Sequence, residues 1–596
     1  MSPGDNPRPG QKMNLSPIKT FTPIPNLFYW DLRQQTTPNG GILHRIPGKH
    51  ATLYSMLHFS MATLCKGSME WQTRSCNPAF NLAGVNTFFG IRYAQAPVGK
   101  LRWRAPVPVK RRRGAEKVID ATVAGPACLQ STAGWRVDSD FPIPQGEDCL
   151  SLTIQTPSEP ASDKLPVMVL IHGGGYLAGS SVYTSGDSLV HQSNGGMVFV
   201  SIQYRLGALG FLGGDEIKKD GTWNAGLLDQ RAALEWIRKN IHYFGGDPSK
   251  VTITGSSAGG GSVAMQMIMF GGKPKNPPFQ AAIPEFPWWT PTYDDEWVQG
   301  QYDGFLKAAN CSSLRCLRKL PLSAIRTASR AATVAAYLDK QYAYGTFYWG
   351  PAIDGKIIQG GLHEEFEDGH FTKVPILVDR NFDEGFIFSN TSLASDEEAL
   401  ADLSALWHRD SSFVEEVWEQ YPESTYNISH LDDLPSYQLQ KNSGFYNGTI
   451  TNSFIRRSAI FGDALVACPT TFISEAVTKA GLSAYKLIFN SGFQFHSATI
   501  YFAFSNYTDV DGSRFVNGAS IPGNATLATL LRNYLISFTL FHDPNTLKPD
   551  YGVFPSWPEY TAHDPKVMYL ADSGVEVVAD PEGSGKCDIF ADGAWD

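Results

Sequence analysis

The stretch Gly255-Ser256-Ser257-Ala258-Gly259 limits what this chain can fold into more than any other. Residues 250–254, Lys-Val-Thr-Ile-Thr, alternate and are β-branched, which predicts a strand. From Gly260 to Met267 the breakers give way to helix-compatible residues. A strand that enters a helix through a turn with glycines two positions either side of a serine is a nucleophile elbow. So tight a turn leaves no room for side chains beside the serine, and the helix start behind it favours negative charge. The motif alone is weak, because small-residue turns are common.

A second motif upstream strengthens it. Leu165–Ile171 is a continuous apolar run, the pattern of a strand buried on both faces of a parallel sheet. It ends in His172-Gly173-Gly174-Gly175, a glycine-rich loop of the kind that offers bare backbone N–H groups to an oxyanion. Taken alone, the loop would be an ordinary strand-to-helix turn. Its place before the serine elbow is the order that an ester-cleaving α/β fold requires.

Such chemistry needs an acid and a base after the serine, in the chain order Ser, Asp or Glu, His. Residues 374–379 read as a buried strand, followed by Asn381-Phe382-Asp383-Glu384-Gly385. Residues 484–489 read as another, with His496 in the loop beyond. Both candidates lie past the carboxyl ends of strands, where open α/β sheets place their sites. Spacing alone allows Asp379, Asp383 or Glu384 as the acid and does not separate Asp383 from Glu384. Of thirteen histidines, His496 is favoured over His542, which follows a helix-like segment.

From about residue 82 onward the chain resembles the type-B carboxylesterases, the family of carboxylesterases, cholinesterases and fungal secreted esterases and lipases. The likeness rests on Phe88-Phe89-Gly90-Ile91-Arg92-Tyr93-Ala94, Glu147-Asp148-Cys149-Leu150, the glycine loop, Gln203-Tyr204-Arg205-Leu206-Gly207 and Asn224-Ala225-Gly226. Asp383-Glu384-Gly385 resembles the family's acid motif, and His496 with Ile500-Tyr501-Phe502 its histidine motif. The resemblance implies an α/β-hydrolase fold: a large, mostly parallel sheet flanked by helices, with cap and loop insertions. It implies a triad of Ser257, Glu384 and His496, and an oxyanion hole from the N–H groups of Gly174, Gly175 and Ala258. It also implies disulfides Cys128–Cys149, Cys311–Cys316 and Cys468–Cys587, the first closing a loop that carries Trp135, Phe141 and Ile143. Cys65 and Cys76 receive no assignment.

Three positions depart from the family pattern. Ser256 stands where many relatives carry glutamate, Thr499 where another carboxylate is common, and Ala282-Ile283-Pro284-Glu285-Phe286 replaces a glutamine-serine-glycine stretch. Trp135 lies in the loop where cholinesterases carry their choline-binding tryptophan but is no convincing counterpart, so a choline ester preference is not expected. Trp288 and Trp289 line an acyl pocket or serve as packing; the sequence does not decide.

Eight cysteines and sequons at Asn14, Asn310, Asn390, Asn427, Asn447, Asn506 and Asn524 fit a secreted, oxidised protein. The front does not: Met1 is followed by no basic segment and apolar core, so no signal peptide is visible, and a cytoplasmic enzyme is the alternative. Residues 1–76 read as a poorly ordered extension or a gene-model artefact, and residues 77–596 as one catalytic domain. A net charge of −9 argues against nucleic acid, and the run Lys110-Arg111-Arg112-Arg113 reads as a solvated loop. No eighteen-residue apolar run lacks charges or breakers, so no transmembrane span is expected. No dinucleotide motif or metal-ligand cluster is evident, so neither cofactor nor metal is expected, and oligomeric state is not legible. The partner is a small-molecule ester. The rival readings are an acyltransferase using the same triad and a non-catalytic adhesion protein, the latter disfavoured because all three triad residues are kept.

Overall fold

The computed structural model describes residues 77–591 apart from 79, 83, 110–119, 137–142, 274–275, 290–292, 408–410, 430–449, 505–513, 517–518, 522 and 548–551. The amino-terminal extension, Phe141, the basic run, Cys65, Cys76, and the sequons at Asn14, Asn447 and Asn506 therefore lie outside the described residues.

Eleven strands make the central sheet: β1 Phe80–Leu82, β2 Val85–Arg92, β3 Ser151–Pro157, β4 Leu165–Ile171, β5 Val198–Ile202, β6 Gly246–Ser256, β7 Ala281–Glu285, β8 Ile376–Asn381, β9 Ala484–Asn490, β10 Lys566–Ala571 and β11 Gly574–Ala579. Their spatial order is β11-β10-β9-β8-β7-β6-β4-β5-β3-β2-β1. The seven strands from β10 to β5 run parallel, and antiparallel strands close both edges. This is the α/β-hydrolase sheet expected from the sequence.

The parallel strands are apolar because both of their faces are covered. All seven residues of β4 are buried, as are all six of β8. Helices α1 Ala225–Asn240 and α2 Ala258–Ile268 pack along β6, with α2 also against β7. The insertion after β8 forms α3 Asp396–Trp407 and α4 Ser411–Glu419, with Glu397, Glu398, Glu415 and Glu416 exposed, as expected of cap helices.

Helices α5 Asn452–Gly462 and α6 Cys468–Lys479 join through a short π-helical turn into one stretch, Asn452–Lys479. By length and composition that stretch is apolar enough to cross a membrane, but 83% of its most apolar window is buried inside the protein. Arg456, Arg457, Asp463 and Glu475 interrupt its apolar run in the sequence. Cys128–Cys149, Cys311–Cys316 and Cys468–Cys587 are joined.

The two buried cations of the sheet, Arg380 and Lys486, are paired with acids. On β8, Arg380 forks onto Glu582 at 2.7 and 3.1 Å. On β9, Lys486 donates to Asp580 at 2.7 Å, Glu582 at 3.1 Å and Thr471 at 2.7 Å. Burial alone would raise Glu582, but the two cations overcome it and hold its carboxyl well below the ordinary range. Removing one partner of such a buried cluster strands the remaining charge. Lys486→Met should therefore lower the unfolding free energy by about 3–5 kcal/mol in urea denaturation. A loss under about 1 kcal/mol would mean that the acids are satisfied without the lysine.

Candidate active site

The elbow is built from strand β6, one strained residue and helix α2. Ser257 sits between them at φ 61°, ψ −125°, outside the regions open to most side chains. Such a conformation costs on the order of 1–3 kcal/mol and persists only when its surroundings impose it. The surroundings are backbone. A Cβ on Gly259 would lie 2.1 Å from the Ile171 carbonyl oxygen, and one on Gly255 would lie 2.4 Å from that of Gly259. Both flanking glycines are therefore required by close approach. The Ser257 N–H donates to the Glu285 carbonyl at 3.1 Å, and the Trp288 N–H donates to the Ser257 carbonyl at 3.0 Å. The serine is pinned between β6 and the segment leaving β7.

The loop after β4 meets the same point. A Cβ built on Gly173 would lie 3.1 Å from the Ser257 Cβ. Gly174 and Gly175 follow at φ 107° and 63°, and the Gly174 carbonyl accepts from the N–H groups of Leu177 and Ala178. Ala258 opens α2, where a first-turn N–H has no partner within the helix. Burial pushes the His172 imidazole down to about 4, so it is neutral; its Nδ1 lies 2.9 Å from the Gly173 carbonyl and its ring stacks on Tyr204.

The candidate acid and base come from the ends of β8 and β9. His496 Nδ1 and Glu384 Oε2 are 2.5 Å apart, with both side chains buried. The other carboxylate oxygen, Oε1, accepts from the backbone N–H of Asn381 at 2.5 Å and its Nδ2 at 3.0 Å. Asn381 Oδ1 in turn accepts from the Thr499 N–H. His496 Nε2 is buried and unpaired. The imidazole is walled by Phe286 and Phe388, each at 4.9 Å edge-on, and by Trp288 at 5.8 Å. Segment 285–288 thus touches both the serine backbone and the histidine ring.

The alternatives left open by spacing separate here. Asp383 Oδ1 accepts from the N–H groups of Gly385 and Phe386, while its own backbone pairs with Gln494 and His496. It laces the two loops together and does not face the imidazole. Asp379 accepts from the Phe286 N–H at 2.8 Å. His542 caps the C-terminus of helix α7 Ala525–Phe541 at φ 59°, half-buried, with its ring against Phe538 of the same helix. The two tryptophans divide as well. Trp288 packs on Phe347, Phe388 and His496, whereas Trp289 stacks on Phe366 and Phe472.

Three residues of the site had not been singled out in the sequence. Asn381 stands in the sequence only as a residue following the strand read at 374–379, yet it is the second holder of Glu384. Phe347 lies against the glycine loop: a Cβ on Gly175 would meet its ring at 2.4 Å. Phe388 completes the wall, and the loop that carries Phe347 is tied to Trp135, whose indole N–H donates to the Thr346 carbonyl at 2.6 Å. No spacing rule points to an aromatic residue in an irregular loop.

This geometry falls among the carboxylic ester hydrolases of the α/β-hydrolase fold, and the protein is one of them. The chain belongs to the carboxylesterase family, whose model matches residues 74–587. It is 30% identical over 511 residues to a secreted triacylglycerol lipase of Gibberella zeae, covering 80% of this chain and 82% of the relative. It is 32% identical to Lipase 2 of Geotrichum candidum, covering 77% and 84%. Carboxylesterase patB of Aspergillus clavatus is 30% identical over 563 residues, covering 86% and 93%. Among solved structures, Aspergillus niger EstA superposes with a TM-score of 0.71 at 27% identity, covering 85% of this chain and 94% of that one.

The contact between Gly259 and Ile171 makes a sharp prediction. Gly259→Ala forces a methyl group into backbone that has no space for it, and overpacking of this kind costs about 1–3 kcal/mol or more. Thermal unfolding should show the loss, and activity should fall further than stability does. A variant with unchanged melting and turnover would mean that α2 can shift on β4 freely.

Proposed function

We propose that the protein hydrolyses neutral carboxylic esters by two-step acyl transfer through Ser257. The carrying observation is the buried Glu384–His496 hydrogen bond, which leaves Nε2 as the unpaired ring nitrogen. His496 takes the proton from Ser257 as its oxygen attacks the ester carbonyl. Glu384 holds the imidazole tautomer and stabilises the positive ring. The N–H groups of Gly174, Gly175 and Ala258 receive the oxyanion. His496 then protonates the leaving alcohol and activates water to release the acid. Hydrogen bonds of this kind often tighten only once substrate is bound.

The same reading extends to substrate and location. Trp288, Phe347, Phe388 and Phe461 make an apolar wall beside His496, suited to short, medium or aromatic acyl groups. A cation at that wall, Arg457, is bound to Asp402 and lies over the Phe461 ring. Three disulfides and secreted relatives support an extracellular enzyme.

Ser257→Ala should lower turnover by on the order of 10⁶ with the fold intact. Glu384→Gln and His496→Ala should each cost orders of magnitude without adding to that loss, while Asp383→Asn and His542→Ala should stay within about tenfold of wild type. An organophosphate adduct mapped by mass spectrometry to another serine would sink the assignment.

Substrate preference gives an independent check. Each methylene buried in the apolar wall contributes roughly 0.8 kcal/mol, so rates should rise along a neutral acyl series until the pocket is full. A choline ester and its uncharged carbon isostere should differ by less than about tenfold, or 1.4 kcal/mol. A larger choline preference would require an aromatic cation site.

A further inference from the structure

Beneath the elbow lie two acids that the acyl-transfer steps do not use. Glu285 ends β7, Asp379 lies on β8, and the two are opposite each other in the strand register. Both are buried, at 2% and 3% exposure. Glu285 Oε1 accepts from the Thr254 hydroxyl and Oε2 from the Ser256 hydroxyl, each at 2.7 Å. Asp379 Oδ1 accepts from the N–H of Phe286. The backbone links make the pair part of the site. Glu285 O receives the Ser257 N–H, and the residue after it, Phe286, packs its ring on His496.

The charges around the pair do not neutralise it. Glu384, beyond the end of β8, adds a like charge. From β6 come only the hydroxyls of Thr254 and Ser256, and from the segment after β9 come Thr499 and His496, the latter against Phe286. Arg380, between Asp379 and Asn381, turns to Glu582, and Lys486 on β9 is taken by Asp580 and Glu582. Two adjacent buried carboxyls without a cation cannot both ionise readily.

We propose that Glu285 and Asp379 share one proton across the β7–β8 pair and act as positioning residues, holding Ser257 and Phe286, and through Phe286 the His496 ring, in register. Glu285, which meets two hydroxyl donors, is the ionised member, and Asp379 carries the proton. Burial pushes Glu285 up to about 7 against the pull of its two hydroxyl donors. Burial, then Glu285, raise Asp379 well above the ordinary carboxyl range. When the last proton leaves at alkaline pH, two facing carboxylates repel across the strands that hold the site.

The sign for stability follows. The folded state keeps a proton that the unfolded chain releases near pH 4, so this contribution is full below that pH and is lost as pH rises through the folded values.

The test uses the intact enzyme. Asp379→Asn keeps an oxygen for the Phe286 N–H and fixes the neutral form. Wild-type kcat should fall at alkaline pH with KM steady, and the variant should lack that fall. Its kcat relative to wild type should therefore climb by about threefold or more between about pH 7 and about pH 10. Its melting temperature should also decline less over that range. An infrared difference spectrum at neutral pH should show a carbonyl band of protonated buried carboxyl that is weaker in Asp379→Asn than in wild type.

Ser256→Ala serves if Asp379→Asn does not fold. It deletes one donor to the ionised Glu285, so the first ionisation of the pair should move to higher pH and the carbonyl band at neutral pH should grow. Profiles of identical shape, an absent difference band, or a carbonyl band that Ser256→Ala leaves unchanged would each overturn the proposal. The pair rests on the reading of Ser257 and His496 as the reacting groups, but the infrared band does not depend on it. Failure of that reading would show as an active Ser257→Ala enzyme.

Discussion

One carbonyl oxygen sets the geometry of the site. Ile171 O, the last of β4, lies where a Cβ on Gly259 would be at 2.1 Å and one on Gly255 at 2.9 Å. Helix α2 starts directly over the sheet because neither position carries a side chain. The next residue after Ile171 begins the oxyanion loop, so the same contact that forces the serine out of ordinary backbone also places Gly173 against it. Interiors are packed as densely as crystals and transmit such displacements instead of absorbing them. On the other side of the helix, a Cβ on Gly260 would meet the Glu285 carbonyl at 2.4 Å, which ties the helix to β7 as well. Strain at Ser257 is thus imposed by three strands at once.

The parts of this arrangement that the sequence displayed are those written in backbone chemistry. Glycine spacing revealed the elbow and the loop because only close approach demands it. The apolar run at 165–171 coincides with β4, since a strand covered on both faces has no polar position to blur its limits. The strand read at 374–379 was displaced to Ile376–Asn381, because its last residues are the polar Asp379, Arg380 and Asn381. Polar residues at a strand end look like a loop until their buried partners are known.

Those partners are distant in sequence, which is why the acids could not be told apart. Asp383 and Glu384 are neighbours with equal claims by spacing. Asp383 is consumed by the N–H groups of Gly385 and Phe386, the local turn chemistry typical of aspartate, while the longer glutamate reaches His496, 112 residues away. Trp288 and Trp289 pose the same problem in apolar form. Adjacent residues of an extended segment point to opposite sides, so one tryptophan meets the imidazole and the other meets Phe366 and Phe472. Composition cannot show which is which; only the path of the segment leaving β7 can.

Strand phase also decides the electrostatics of the site. Asp379 and Asn381 face Phe286 and Glu384, and Arg380 between them faces Glu582. A slip of one residue in the pairing of β8 would exchange the two sets, because side chains alternate with a period of two. Arg380 would then stand beside Glu384, and a bidentate guanidinium would compete with His496 for that carboxylate. Asp379 would be carried to the side of Glu582 and Asp580, adding a third acid to a cluster already balanced by Lys486. Neither arrangement is tolerable in a buried sheet, so the ion pairs on one face hold the register that keeps cations away from the acids on the other.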